Sequence, residues 1–294
     1  MNLHDFEYFN VLGDLLSFTA ASNYFEVSQP TITYAVKRLE RYYECNLIHK
    51  DPSHRSVVLT DEGKILKIHI ENILEEISLT QRAIDHSKKK QYHIGLPPII
   101  RAKILAHFLN NDKNIKLLSN FNLEYGGSEE LLCKLLSGNI EFSLIGSINP
   151  LTHSNLIVKQ LYKQEFYIFV SKENPLAAFK EISFKKALDY PFVVLDESFV
   201  HMKAFKNLNE KYKNKAKIIF NFSDIHTIGQ LVKSNVGITL MTDVIPLKNM
   251  SNLIKIPLIR EDRQSFFVQY AYLKSTPLNS DLKELISLLD EMIN

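Results

Sequence analysis

Between Ser28 and Arg41 the chain gathers side chains whose chemistry suits base edges and phosphates. The carboxamide of Gln29 can pair bidentately with adenine, and the methyl groups of Thr31 and Thr33 can meet a thymine methyl. Tyr34 can stack or hydrogen-bond, and Lys37, Arg38 and Arg41 follow on the same helical face, where cations suit phosphate contacts. Pro30 fits a first helical turn, where its missing N–H costs nothing. Further on, Lys50, His54 and Arg55 form a second basic set, of the kind that holds a DNA backbone without reading its sequence.

Total charge does not make this case. The net charge is +2, and residues 1–58 carry five Lys or Arg against seven Asp or Glu. What matters is placement, and placement depends on the elements around these residues. Leu3, Phe6, Phe9 and Leu12 recur at helical spacing behind Asn2, a fair N-cap. A second short helix follows Ser17-Phe18-Thr19, with Ala20 and Ala21 small enough for close crossing, and Val27 marks the turn before a third helix capped by Ser28. On that third helix Ile32, Val36, Leu39 and Tyr43 point into a core, while Tyr34, Lys37, Arg38 and Arg41 point out. An amphipathic helix with a solvated basic face shows the same division. The run from Leu47 to Arg55, followed by a Val57–Leu59 strand, favours a winged helix-turn-helix with its recognition helix in a major groove.

From Thr60-Asp61-Glu62 a long helix runs to about Ser87, ending at Lys88-Lys89-Lys90. Leu66, Ile70, Ile73, Ile77, Thr80 and Ile84 alternate by four and three, a heptad seam. The seam can pack on its own domain or on a second copy; its length favours the copy, hence a homodimer. Past residue 90, short apolar strands alternate with helices: strands at 92–96, 121–125, 142–145, 166–170, 192–195, 218–222, 237–240 and 266–273, with a closing helix at 282–293. This predicts a mostly parallel α/β sheet in two successive lobes around a cleft. The expected domains are 1–59, a linker helix 60–90, and 91–294, the last split into lobe I (91–162 plus 266–294) and lobe II (163–265).

Ligands of such lobes sit beyond strand ends, near helix N-termini whose N–H groups and dipole favour anions. Four segments fit: Pro97-Pro98-Ile99, Gly127-Ser128, Gly146-Ser147 and Ser198-Phe199. The candidate effector residues are Pro98, Ile99, Ser128, Ser147, Ser198, Phe199 and Arg101, the last for pairing with a carboxylate. Each serine can equally be a helix cap, Arg101 a solvated surface residue, and His201 and His226, near strand ends of the second lobe, structural.

Catalytic and metal chemistry find no support. There is no His-Glu-x-x-His, no Cys pair at zinc spacing, no phosphate-binding glycine loop and no Gly-x-Ser-x-Gly elbow, so no catalytic residue, metal or cofactor is expected. Cys45 and Cys133 read as small buried apolar residues. The start lacks the basic and apolar segments of a signal peptide, and no apolar stretch approaches the ~18–20 residues of a membrane span, so a cytoplasmic location is expected.

Together, Ser17-Phe18-Thr19-x-Ala21, Val27-Ser28-Gln29-Pro30, Arg38-Leu39-Glu40 and Leu59-Thr60-x-x-Gly63 resemble the N-terminal domain of LysR-type transcriptional regulators. Gly126-x-Ser128-Glu129-x-Leu131 and Gly237-Ile238 are similar to the effector domain of that family. The resemblance implies promoter DNA, a small organic acid and RNA polymerase as partners, a dimer or tetramer, and an effector domain similar to periplasmic solute-binding proteins. Two departures stand out: Tyr34 replaces a frequent Arg, and Leu47-Ile48-His49-Lys50 replaces Leu-Phe-x-Arg. More narrowly, Tyr42-Tyr43-Glu44-Cys45 and Lys50-Asp51-Pro52-Ser53-His54-Arg55 resemble regulators of malolactic fermentation, which implies an activator responding to a dicarboxylate such as malate. The alternative is a cytoplasmic solute-binding or enzyme-like α/β protein whose N-terminal helices serve only dimerisation.

Overall fold

A computed structural model describes residues 1–50, 57–88, 91–108, 111–243 and 251–292. The chain divides into two compact units, Met1–Ile84 and Asp85–Asn294.

The first unit holds α1 (Leu3–Leu15), α2 (Phe18–Tyr24), α3 (Gln29–Tyr43), the strands β1 (Ile48–Lys50) and β2 (Val57–Leu59), and the start of α4 (Asp61–Lys88). Asn2 opens α1 through a reciprocal pair: its Oδ1 accepts the Asp5 N–H at 3.0 Å, and the Asp5 carboxylate accepts the Asn2 N–H at 2.9 Å. Ser17 caps α2 by accepting the Ala20 N–H. The turn into α3 puts Glu26 in the left-handed region, and Val27 donates its N–H to the Ser22 carbonyl. Ala21 and Ala35 are fully buried where α1, α2 and α3 pack together.

The core of this unit joins Phe6, Phe9, Leu12, Phe18, Ile32, Val36 and Leu39 to Leu47, Val57, and Leu66 and Ile70 of α4. Tyr43 is a correction: it is 41% exposed, because α3 ends there and Glu44 turns the chain into the left-handed region. Strands β1 and β2 pair antiparallel with Ile48 opposite Leu59. Residues 51–56, with His54 and Arg55, lie outside the described residues, as does the side chain of Lys50.

The joint between the ribbon and α4 explains one motif. Thr60 Oγ1 donates to the Asn46 carbonyl at 2.8 Å and accepts the Gly63 N–H at 2.9 Å. A Cβ at Gly63 would stand 2.1 Å from the Leu47 carbonyl oxygen, so that position tolerates only glycine.

The second unit contains β3 (His93–Gly95), α5 (Pro98–Phe108), α6 (Asp112–Ser119), β4 (Asn122–Glu124), α7 (Ser128–Leu136), β5 (Phe142–Ser147) and β6 (Leu156–Ser171). It continues with α8 (Phe184–Ala187), β7 (Phe192–Leu195), α9 (Val200–Lys211), β8 (Ile218–Phe222), α10 (Ile225–Lys233), β9 (Thr239–Thr242), β10 (Leu253–Pro257), β11 (Ser265–Leu273) and a closing α11 (Ser280–Glu291). The main sheet runs β10-β6-β11-β5-β3-β4, with β9 also on β6. Only β3 with its neighbours β4 and β5 is parallel; β11 is antiparallel to β5 and β6, and β9 and β10 are antiparallel to β6. The sheet is therefore mixed, which corrects the expectation of a mostly parallel one.

The cause is β6. Its first part, to Glu165, pairs with β11, and from Phe166 on it pairs with β9 and β10. One strand thus serves both lobes, and the two adjoin where its partners change. In the second lobe β7 and β8 run parallel and attach through a bridge between Phe192 and Ile238. A continuous apolar core includes Phe108, Phe142, Phe166, Phe184, Phe192 and Phe205. Cys133 is a second correction: it is exposed, since α7 buries the Leu131 and Leu135 face and turns Cys133 away, and Cys45 is half-buried.

Candidate nucleic-acid interface and effector cleft

On α3, Gln29, Pro30, Tyr34, Lys37, Arg38 and Arg41 are exposed, and Thr31 and Thr33 are half-buried. Tyr34 is 62% exposed, a large ring left in solvent at the middle of the helix face. The threonine hydroxyls are engaged locally: Thr33 donates to the Gln29 carbonyl, and Thr31 bonds the Ser28 hydroxyl at 2.9 Å. Ser28 stands at the N-cap but makes no side-chain bond to the helix backbone, which corrects its expected capping role.

Arg38 is placed differently from its neighbours. Its Nε lies 3.1 Å from each carboxylate oxygen of Asp5, and its terminal nitrogen bonds Asp5 as well. Asp5 is fully buried. Burial alone would raise its pKa, but the Arg38 bond, the Asn2 N–H and the guanidinium charge outweigh it and hold the carboxyl below the ordinary range. Two residues on, Glu40 accepts the Leu47 N–H at 3.0 Å. The Arg38-Leu39-Glu40 motif therefore ties α3 to α1, to the core and to the ribbon in turn. The sequence offered little sign of this for Asp5, whose position three residues after Asn2 is fully accounted for by a capping box.

In the second unit, Pro98, Ile99, Ser128, Ser198 and Phe199 come together around one narrow cleft, with Pro97, Ile100, Gly127, Val200, His201 and Phe266 completing its wall. Helices α5, α7 and α9 all begin at this wall. No side chain caps α7 or α9, so their first N–H groups are unclaimed by side-chain oxygens, and the positive ends of both dipoles meet at the cleft. None of the lining residues is Lys, Arg, Asp or Glu. The lobes touch here: a Cβ on Gly127 would lie 2.2 Å from the Ser198 carbonyl oxygen.

The serines carry internal bonds. Ser128 Oγ accepts the Gly146 N–H at 2.9 Å and keeps its proton for a further acceptor. Ser198 Oγ donates to Asp196. Ser147 donates to the Asn149 carbonyl, accepts from Gln269, and lines a neighbouring pocket with Glu129, Leu132 and Lys203. Glu129 and Lys203 form an ion pair at 3.0 Å between α7 and α9. Arg101 joins neither pocket: its guanidinium lies 4.7 Å over the Tyr125 ring, which corrects its expected place in the cleft. It sits one helical turn beyond Pro97, whose carbonyl accepts its N–H.

His201 is fully buried in the cleft wall, between the rings of Phe166 and Phe266, with Nε2 3.0 Å from Thr242 Oγ1. Burial pushes its pKa down to about 3, so the imidazole is neutral. His226, by contrast, lies exposed in the first turn of α10 and lines no described pocket. Phe266 entered the sequence reading only as the start of a strand; nothing in its local pattern marks a cleft residue. Among the described residues, no group of three His, Cys, Asp or Glu is placed to hold a metal, and no helix is long and apolar enough to cross a membrane.

Comparison with known proteins agrees with this division. Residues 3–64 match the family model for the bacterial regulatory helix-turn-helix protein of the lysR family, and residues 86–293 match that for the LysR substrate binding domain. The malolactic fermentation system transcriptional activator of Lactococcus lactis subsp. lactis is 42% identical over 289 residues, covering 98% of each chain. Among solved structures, HinK, a LysR family transcriptional regulator from Pseudomonas aeruginosa, aligns with a TM-score of 0.56 at 17% identity, covering 100% of this chain and 98% of its own. The effector binding domain of QuiR, solved in complex with shikimate, aligns with a TM-score of 0.57 at 16% identity over 68% of this chain and 95% of its own. A DNA-reading head and an effector domain, each matched along its length, make this chain a member of the LysR family of bacterial transcriptional regulators.

Proposed function

We propose that the chain activates transcription from a promoter it binds as a homodimer, and that a small organic dianion in the cleft controls that activity. The observation that carries the reading is the meeting of three helix starts at a pocket without charged side chains. Carboxylates placed there gain N–H donors and dipole charge while leaving no buried cation uncompensated when the cleft is empty. The 42% identical malolactic activator supports malate as that acid and a fermentation operon as the target.

On the DNA side, Gln29, Pro30, Thr31, Thr33 and Tyr34 face base edges and Lys37 meets phosphates, a role for which the sequence also offers Lys50, His54 and Arg55. The exposed seam Ile73, Ile77 and Ile84 on α4 supports dimerisation through that helix. Activation would bring RNA polymerase into contact with the bound dimer, in the cytoplasm. A gel-shift series on DNA upstream of its own gene, with and without L-malate, tests the reading. A sequence-specific shift that falls steeply with salt and changes with the acid is expected. No specific shift at low salt, under either condition, overturns it.

A further inference from the structure

Resting on the reading of α3 as the base-reading helix, we propose that this helix selects A·T base pairs and that Tyr34 sets the choice, its ring packing against a thymine methyl where a guanine would find no partner. The first two turns of α3, Gln29-Pro30-Thr31-Ile32-Thr33-Tyr34-Ala35-Val36, hold no charged side chain. In a helix-turn-helix those early turns are the ones that reach base edges. Guanine is recognised there mainly by Arg or Lys on its O6 and N7, and cytosine by a carboxylate on its amino group. Neither kind of reader is present in these turns.

The cations of α3 lie elsewhere. Lys37 stands in the third turn, and Arg41 in the last, roughly 18 Å along the axis from Gln29. The Arg38 guanidinium is committed to the buried Asp5 carboxylate. The threonine hydroxyls are engaged locally, Thr33 at 3.1 Å on the Gln29 carbonyl and Thr31 at 2.9 Å from the Ser28 hydroxyl. What this stretch offers a groove is therefore the Gln29 carboxamide, the threonine methyls and the Tyr34 ring. The carboxamide matches adenine, and the methyl and ring surfaces match the C5-methyl that thymine alone carries there.

Tyr34 is the largest of these surfaces. Ile32, Ala35, Val36 and Leu39 are buried on the other side of the helix. The ring, 62% exposed, stands on the outward stripe with Pro30, Lys37 and Arg41, at spacings of four, three and four. An apolar ring face held in water gains by covering a methyl group. A guanine in the same place would have two acceptors stripped of water, with at most one phenolic proton in return.

The test selects sites for the full-length protein from a pool of randomised duplex DNA, then remakes the enriched duplex with single changes. The wild type is expected to enrich half-sites with A·T pairs opposite α3. At one of these it is expected to bind at least about threefold more weakly when thymidine is replaced by deoxyuridine, which lacks only the methyl. Tyr34→Ala is expected to lose sensitivity to that one change, and Tyr34→Phe to keep it. Tyr34→Arg is expected to prefer a G·C pair at the same position by about tenfold. Half-sites made of G·C pairs, indifference of the wild type to every loss of a thymine methyl, the same loss in Tyr34→Ala as in the wild type, or an A·T preference persisting in Tyr34→Arg overturns the role of Tyr34 while the regulator reading stands. Lost sensitivity in Tyr34→Phe places the contact on the phenol oxygen and overturns it as well. Enrichment of no sequence overturns both readings. The deoxyuridine comparison is made on the wild type, so a misfolded variant does not shelter the proposal.

Discussion

Arg38 and Asp5 form a two-pronged ion pair that fastens the third helix to the first, with the carboxylate wholly inside the domain and the guanidinium at its rim. A cation that sequence patterning groups with Lys37 and Arg41 thus has a structural partner 33 residues away. The two neighbours should then behave differently when truncated. Lys37→Ala is expected to weaken DNA binding uniformly across sequences and to lower the salt slope by about one. Arg38→Ala is expected to leave Asp5 buried without its partner and to destabilise the first unit by about 1–3 kcal/mol. Salt-dependent gel shifts read the first effect and denaturant unfolding the second; equal melting behaviour of both variants would contradict the pairing.

The same pair has an acid signature. Asp5 is held below the ordinary carboxylate range, so its contribution to stability is present above the unfolded value of about 3.9 and fades as pH falls through the lower folded value. Asp5→Asn is expected to be less stable than the wild type at pH 7, with the gap closing in strong acid. Unfolding curves at pH 7 and pH 3 measure it.

Much of this architecture is legible in the residues themselves. Capping signals at Asn2 and Ser17, the apolar spacing of α3, and the Thr60-x-x-Gly63 joint are all local, and local signals determine these elements. The strand ends and helix starts at the four candidate segments were legible for a related reason, since Pro97-Pro98, Gly126-Gly127 and the serines mark them, and three of the four line one cleft. The first half of β6 was not. Its Leu156–Glu165 stretch interrupts short apolar pairs with lysines and glutamines and shows no clean period-2 alternation, and only long-range pairing with β11 makes it a strand. Arg101 and Arg38 show a second limit: sequence shows a guanidinium but not whether a ring or a buried carboxylate already holds it.

Gly127 gives a direct probe of cleft closure. An added Cβ would meet the Ser198 carbonyl oxygen at 2.2 Å, and both atoms belong to backbone that cannot swing aside. Gly127→Ala is expected to force the two walls apart and abolish the response to L-malate, with DNA affinity in the absence of acid changed less than about threefold. Paired gel-shift titrations, with and without the acid, decide it. Ser128→Ala is a poorer probe, because it also strips the buried Gly146 N–H of its acceptor.

Along α4 the seam changes character. Leu66 and Ile70 are buried in the first unit, whereas Ile73, Ile77 and Ile84 are 40%, 42% and 47% exposed on the continuation of the same face. Apolar side chains at heptad spacing favour a partner helix. Ile77→Lys is expected to shift the protein from dimer to monomer in sedimentation velocity at micromolar concentration, and to weaken operator binding at least about tenfold by uncoupling the half-sites. A dimer of undiminished stability would place the contact elsewhere.

His201 carries the last prediction. Its pKa falls from the ordinary 6.5 to about 3 because burial disfavours the charged ring. Below about pH 6.5 the unfolded chain binds a proton at this site that the folded chain refuses, so stability declines with acidity by up to about 1.4 kcal/mol per pH unit until the folded value is reached. At pH 7 and above the effect vanishes. His201→Gln removes this proton uptake, so the stability gap between wild type and variant should shrink by about 1–2 kcal/mol between pH 7 and pH 5. A gap that does not move with pH would mean that the ring is charged or solvated in the folded state, against its burial between Phe166 and Phe266.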